Sequence, residues 1–152
     1  MTDEDPKTET ETMNDETEWP IQTWRRRYDH FLIEVVRRTR QPKKADHLWD
    51  ERGPYLWNVY AYIYPPHWHF AAFSGNEHWQ PAARAMPLHG GCTFLEYHWR
   101  QGETGLDVSA VQVGCDYAHL HDDWHTRDAE GVTPFRDAVA LANWLLIQEV
   151  AQ

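Results

Sequence analysis

Ten histidines occur in 152 residues, and eight of them lie between His67 and His125. The densest stretch is Asp116-Tyr-Ala-His119-Leu-His121-Asp122-Asp123-Trp-His125, directly after a strand-like run. Imidazole nitrogens and carboxylate oxygens converging at a strand end are the donor set that holds Zn²⁺, Mn²⁺ or Fe²⁺. His89, beside Gly90-Gly91, is placed to join them from the loop before a neighbouring strand. Glycines at that point let backbone approach a ligand closely. The candidate metal ligands are therefore His89 and the histidines and carboxylates of the 116–125 run. A metal-free reading uses two of the same residues, Asp116 and His119, as a catalytic acid–base pair in which the carboxylate fixes the imidazole tautomer. Asp116 could equally cap a turn through its side chain. Whether His67, His69, His121 or His125 joins the group is left open by spacing alone.

Other chemistries are not supported. The run His119-Leu-His121-Asp122-Asp123-Trp-His125 evokes the HxHxDH signature of metallo-β-lactamase-like hydrolases, but Trp124 displaces the last histidine and the chain is short for that fold. Cys92 and Cys115 fall inside strand-like runs with no CxxC pairing, which reads as small buried hydrophobes in a reducing compartment rather than as nucleophiles. No GxGxxG or GxxxxGK[ST] occurs, so nucleotide binding by those loops is not indicated.

The elements that must position these residues can be read from periodicity. Residues 1–18 carry almost no apolar side chains, so they are expected to form a disordered acidic tail. Residues 19–152 then form a single domain. Ile21, Trp24, Tyr28, Phe31, Leu32 and Val35 recur at helical spacing behind Pro20, which predicts an amphipathic helix over 20–40. Three β-like runs follow at 56–64, 92–99 and 108–117, rich in aromatic and β-branched residues. The long connector from 65 to 91 has room for a short helix at 80–86. Thr133-Pro134 opens a second amphipathic helix over 134–151, its face made by Phe135, Ala138, Val139, Ala142, Leu145, Leu146 and Val150. The expected fold class is α+β: a small antiparallel or mixed sheet of about three or more strands, packed by N- and C-terminal amphipathic helices.

Net charge is −10 overall but uneven: −7 over residues 1–18, +6 over 19–44 and −9 over 45–152. The arginines around the first predicted helix could meet nucleic-acid phosphates, yet the acidic body would repel a polyanion, so a solvated charged face is the preferred explanation. No apolar run is long enough to span a membrane and no secretory start is visible, which makes the cytoplasm the expected location.

The pieces WNVYAYIYPPHW, MPLHGGCTF and VQVGCDYAHLHDD resemble a family of small phage and bacterial proteins without an assigned activity. Its pattern is an aromatic strand with a Pro-His turn, then HGG-x-T-[FY], then G-F-D-x-A-H-x-G-D. The resemblance covers roughly residues 55–123 and matches His89, Gly90, Gly91, Thr93, Gly114, Asp116, His119 and Asp122; the overlap of this match with the histidine–carboxylate cluster implies His89, Asp116, His119 and Asp122 as the first metal ligands. Cys115 stands where the family has an aromatic residue, and His121 replaces the glycine before Asp122. The resemblance implies a phage-type accessory protein, and the motifs lead to a metal-dependent hydrolase as the first expectation for its function. The alternative is a non-catalytic binder that sequesters a small molecule or blocks a host protein, as an anti-defence factor would.

Overall fold

The computed structural model describes residues 10–13, 20–40, 53–119 and 122–150. Five strands make the body of one antiparallel sheet: β2 (Pro20–Arg27), β3 (Phe31–Thr39), β4 (Tyr55–Ile63), β5 (Phe94–Gly102) and β6 (Gly105–Asp116). A short strand, β1 (Thr10–Met13), adds to the edge beside β2. The strand order is β1-β2-β3-β4-β6-β5. Between β4 and β5 lie a 3₁₀ turn at Trp68–Ala72 and a short helix, α1 (Pro81–Arg84). A second 3₁₀ turn at Asp123–Arg127 leads into α2 (Val132–Val150), the long helix that closes the fold.

The expected N-terminal helix over 20–40 is not formed. That segment is a hairpin, with Trp24 paired to Val35 and Arg27 to Leu32, closed by the Tyr28 amide donating to the Phe31 carbonyl. The helical spacing was misleading for a physical reason. Strand β3 lies inside the sheet, and Phe31 through Val36 are all buried, on both of its faces. A run buried on both sides loses the alternation of a half-buried strand and fits a helical stripe as well as a sheet. The β-branched residues Ile21, Thr23, Ile33, Val35, Val36 and Thr39 carry the strand preference. The arginines expected on a solvated helix face are accordingly strand residues. Arg25 donates through Nε to Glu34 at 2.7 Å, and Arg37 donates to the Ala129 carbonyl at 2.6 Å.

The tail expected over residues 1–18 is described only at Thr10–Met13, which lie along β2 with Thr10 opposite Thr23; its remaining residues lie outside the described ones. The three later strand runs, the short helix in the connector and the C-terminal helix form close to where periodicity placed them.

One face of the sheet carries the core. Phe31, Ile33, Val35, Trp57, Val59, Ala61, Ile63, Val111, Val113 and Cys115 pack against Ala138, Leu141, Ala142 and Leu145 of α2. The sequence gives α2 a clean start: both carboxylate oxygens of Asp128 accept backbone amides, from Glu130 and from Val132. Gly131 (φ 67°) makes the bend in front of the buried Trp57 ring, where a Cβ would come within 2.5 Å. No helix among the described residues is long and apolar enough to cross a membrane.

Candidate metal centre

The C-terminal end of β6 and the loop before β5 meet at one end of the sheet. Asp116 ends β6, and the next residue, Tyr117, is buried with its hydroxyl donating to Asp137 of α2 at 2.6 Å. The His89 ring lies flat on the Tyr117 ring, with centroids 4.3 Å apart and 12° between planes. This stacking fixes the His89 plane and turns its Nε2 toward the carboxylate of Asp122, 2.9 Å from Oδ2 and 3.0 Å from Oδ1.

Asp122 is the hub. Its Oδ2 also accepts the His119 backbone amide at 3.0 Å and lies 3.2 Å from His119 Nδ1. The Asp122 amide donates to the His119 carbonyl, which holds the two residues at fixed spacing. Burial by itself would raise the Asp122 carboxyl pKa. The hydrogen bonds from His89 and from the His119 amide outweigh it, and the carboxyl is held below its usual range.

The glycine pair before β5 is explained by contact and by backbone. Gly90 (φ 69°) lies against the His119 imidazole, and a Cβ there would sit 2.7 Å from Cε1 and 2.9 Å from Nε2. Only glycine combines that conformation with that approach. Gly91 (φ 89°) needs the conformation alone, since nothing lies within 4 Å of its would-be Cβ. Gly114, also in the motif set, is required further along: a Cβ would meet the Tyr60 ring and the Val59 carbonyl of the neighbouring strand.

One donor atom each from His89, His119 and Asp122 lies within 4.8 Å of the others, and this group could hold a metal ion. The spacing suits the task. Two ligand atoms each about 2.0–2.2 Å from one ion stand about 3 Å apart when their bonds open at roughly 90–110°. The 2.9 Å and 3.2 Å contacts to Asp122 Oδ2 already have that separation. His89 and His119 are half-buried, and Asp122 is buried.

The fourth residue expected among the ligands, Asp116, lies at the margin. Its Oδ1 is 3.7 Å from His119 Nδ1 and accepts the Ala118 amide at 3.1 Å, so it closes a local turn beside the group. Of the histidines left open by spacing, His125 arrives here. It is buried, its Nε2 is 3.7 Å from Asp122 Oδ1, and its ring meets His89 and Tyr117 edge-on, with centroids 5.2 Å away in each case. Its Nδ1 has no hydrogen-bond partner among the described residues, and burial pushes its pKa down, which favours the neutral ring. The i, i+3 spacing from Asp122 was the available signal for His125. His67 and His69 are held elsewhere, by the carbonyls of Leu145 and Ala82. His121 lies outside the described residues. Neither cysteine is set up as a nucleophile: both are free and buried, and burial pushes the Cys115 thiol up to about 12.

Fold and site together define an α+β protein, an antiparallel sheet backed by one long helix, with a His/His/Asp group at one end of the sheet that could hold a metal ion. The chain matches no protein-family model, no curated protein and no solved structure.

Proposed function

We propose that the protein is a metal-dependent hydrolase, a small accessory protein of the phage type, that binds a divalent zinc, manganese or iron ion through His89, His119 and Asp122. The observation carrying the proposal is the convergence of those three donor sets at ligand spacing, with both imidazoles half-buried rather than enclosed. Two imidazoles and one carboxylate leave coordination positions free for water and substrate. A bound ion would supply Lewis acidity and make water acidic enough to yield a nucleophile near neutral pH.

The surrounding residues have distinct tasks in this reading. Tyr117 orients His89 by stacking, and Gly90 backs the His119 ring. Asp116, partly exposed and 3.7 Å from His119 Nδ1, is assigned the role of proton-accepting carboxylate. His125, buried with its Nε2 3.7 Å from Asp122 Oδ1, packs edge-on against the His89 ring.

A second reading is favoured by one specific observation. Asp122 Oδ2 already accepts a backbone amide and faces two imidazoles, which by itself pins the loops at the end of the sheet. In that case the group is a hydrogen-bonded clasp and binds nothing.

The deciding experiment is the metal content of purified, untagged protein beside its His89→Ala and Asp122→Asn variants. Near-stoichiometric metal in the wild type, lost in both folded variants, supports the hydrolase and opens substrate screens with chelator controls. Absence of bound metal after incubation with zinc, manganese or iron would refute it. Lowered melting temperatures in the variants, with no metal uptake by any of the proteins, would establish the clasp.

A further inference from the structure

The face of the sheet turned away from α2 is built differently from the core face. Phe31, Ile33 and Val35 pack on the α2 side, so Leu32 and Glu34 lie on the other, and strand register sets Thr23, Tyr62 and Gln112 on that same side. Thr23, Glu34 and Gln112 are buried although all three are polar. The carboxylate of Glu34, a residue only 4% exposed, accepts from Arg25 Nε at 2.7 Å and from the Tyr62 hydroxyl at 3.1 Å. Burial, helped by the Glu34 charge, raises the Tyr62 pKa and keeps that hydroxyl a donor. A buried carboxylate held in this way adds little stability over an apolar residue of the same volume. Its effect is to fix Arg25 and Tyr62 in place.

A cleft of about 390 Å³ opens over this network, with Leu32 and Ala110 in its lining, a size that accommodates a small ligand. We propose that the cleft binds a small organic anion, a carboxylate or phosphate group carried on a flat ring. Arg25 and Arg27 of β2 supply the anion-binding groups. Glu34 occupies only Nε of Arg25, which leaves the two terminal amino groups as a planar fork for an oxyanion. Arg27 is exposed and makes no hydrogen bond or ion pair among the described residues, so no direct partner offsets its charge at the cleft.

The rest of the lining suits the ring and a polar substituent on it. Tyr62 runs between the two parts, with its hydroxyl on Glu34 and its ring centroid 5.5 Å from that of His98. Together with Tyr64 it supplies aromatic surface for stacking. His98 Nε2 donates to the Gln112 side-chain carbonyl oxygen at 2.7 Å, which leaves Nδ1 as the ring nitrogen for a ligand. Ser109 reaches the same space through a β-bulge: His98 pairs with Ala110 and Trp99 with Val108, so Ser109 is left without a partner on β5. Successive strand residues ordinarily face opposite sides of a sheet, yet Ser109 and Ala110 both line the cleft. The bulge therefore adds a hydroxyl to a surface that regular pairing would have turned away.

The test is an amide NMR titration of the full chain with phenyl phosphate, with benzoate and, as a neutral control, with benzyl alcohol. Saturable shifts are expected at Arg25, Arg27, Tyr62 and Ser109 with phenyl phosphate or benzoate, and the tighter of the two identifies the head group. Arg27→Gln should weaken that binding by roughly tenfold or more, through loss of a charge-assisted contact. Its melting temperature should stay unchanged, because the side chain is exposed and unbonded among the described residues. Arg136→Gln, on the helix behind the other face of the sheet, should bind as the wild type does. The absence of saturable shifts with both anions would overturn the proposal. So would shifts centred on Asp122 instead of the cleft, benzyl alcohol binding as tightly as the anions, or an Arg27→Gln variant with undiminished affinity.

Discussion

Replacing Gly90 with alanine separates two costs that the structure places at one residue. The first is backbone. At φ 69° an L-residue sits in the left-handed region, which costs about 1–2 kcal/mol relative to glycine. The second is steric. The new Cβ would lie 2.7, 2.9 and 3.0 Å from Cε1, Nε2 and Nδ1 of His119, so the ring must retreat by several tenths of an ångström. That ring is held 3.2 Å from Asp122, and retreat breaks this contact or strains the loop that carries it. Together the two terms predict a loss of about 2–3 kcal/mol, or roughly 5–10 °C in melting temperature for a chain of this size.

The neighbouring Gly91→Ala variant isolates the first term, because Gly91 shares a positive φ but has nothing within 4 Å of its would-be Cβ. Urea denaturation of both variants should show Gly90→Ala as the weaker by about 1 kcal/mol or more. A zinc titration should show the larger drop in affinity for Gly90→Ala as well, since a displaced imidazole is a lost ligand. Equal stability and equal zinc affinity in the two variants would refute the claim that Gly90 is glycine because of His119.

Two further predictions follow from buried groups. Burial lowers the pKa values of His67 and His69 below the ordinary imidazole value, so the unfolded chain binds protons more readily than the folded one. Folding stability from these two residues is therefore intact above about pH 6.5 and declines as pH falls below it, each contributing at most about 1.4 kcal/mol per pH unit; urea midpoints between pH 7.5 and 5 check this, and a midpoint that rises with acid would contradict it. Tyr117→Phe removes the 2.6 Å hydrogen bond to Asp137 while keeping the ring on His89. It should cost about 1.5–3 kcal/mol, nearer the lower figure because Asp137 is reachable by water, with metal uptake retained if the stacking alone orients His89.

The candidate site was more legible than the first third of the chain, for reasons that particular residues show. His89, His119 and Asp122 are named by local features: a glycine pair beside one histidine, and an Asp/His run at the end of a strand. Such features survive folding because turns and strand ends are decided by neighbours in sequence. The β2–β3 hairpin is decided elsewhere. Phe31–Val36 is a strand because Tyr55–Ile63 pairs along it and α2 covers one face, and neither partner is visible from within residues 20–40. The same limit left His125 undecided, although its i, i+3 spacing from Asp122 was a local signal. Its link to the group runs through the Tyr117 and His89 rings, and that stacking depends on Tyr117 being drawn under α2 by Asp137.

Asp137 gives α2 a second task beyond closing the core. The helix reaches the site through one hydrogen bond, to Tyr117, and Tyr117 in turn sets the plane of His89. The Asp137 carboxylate does this with one oxygen: Oδ2 accepts from Tyr117, while Oδ1 lies 3.9 Å from Nε of the largely exposed Arg136, an interaction that water screens and that leaves the bond to Tyr117 as the contact ordering His89.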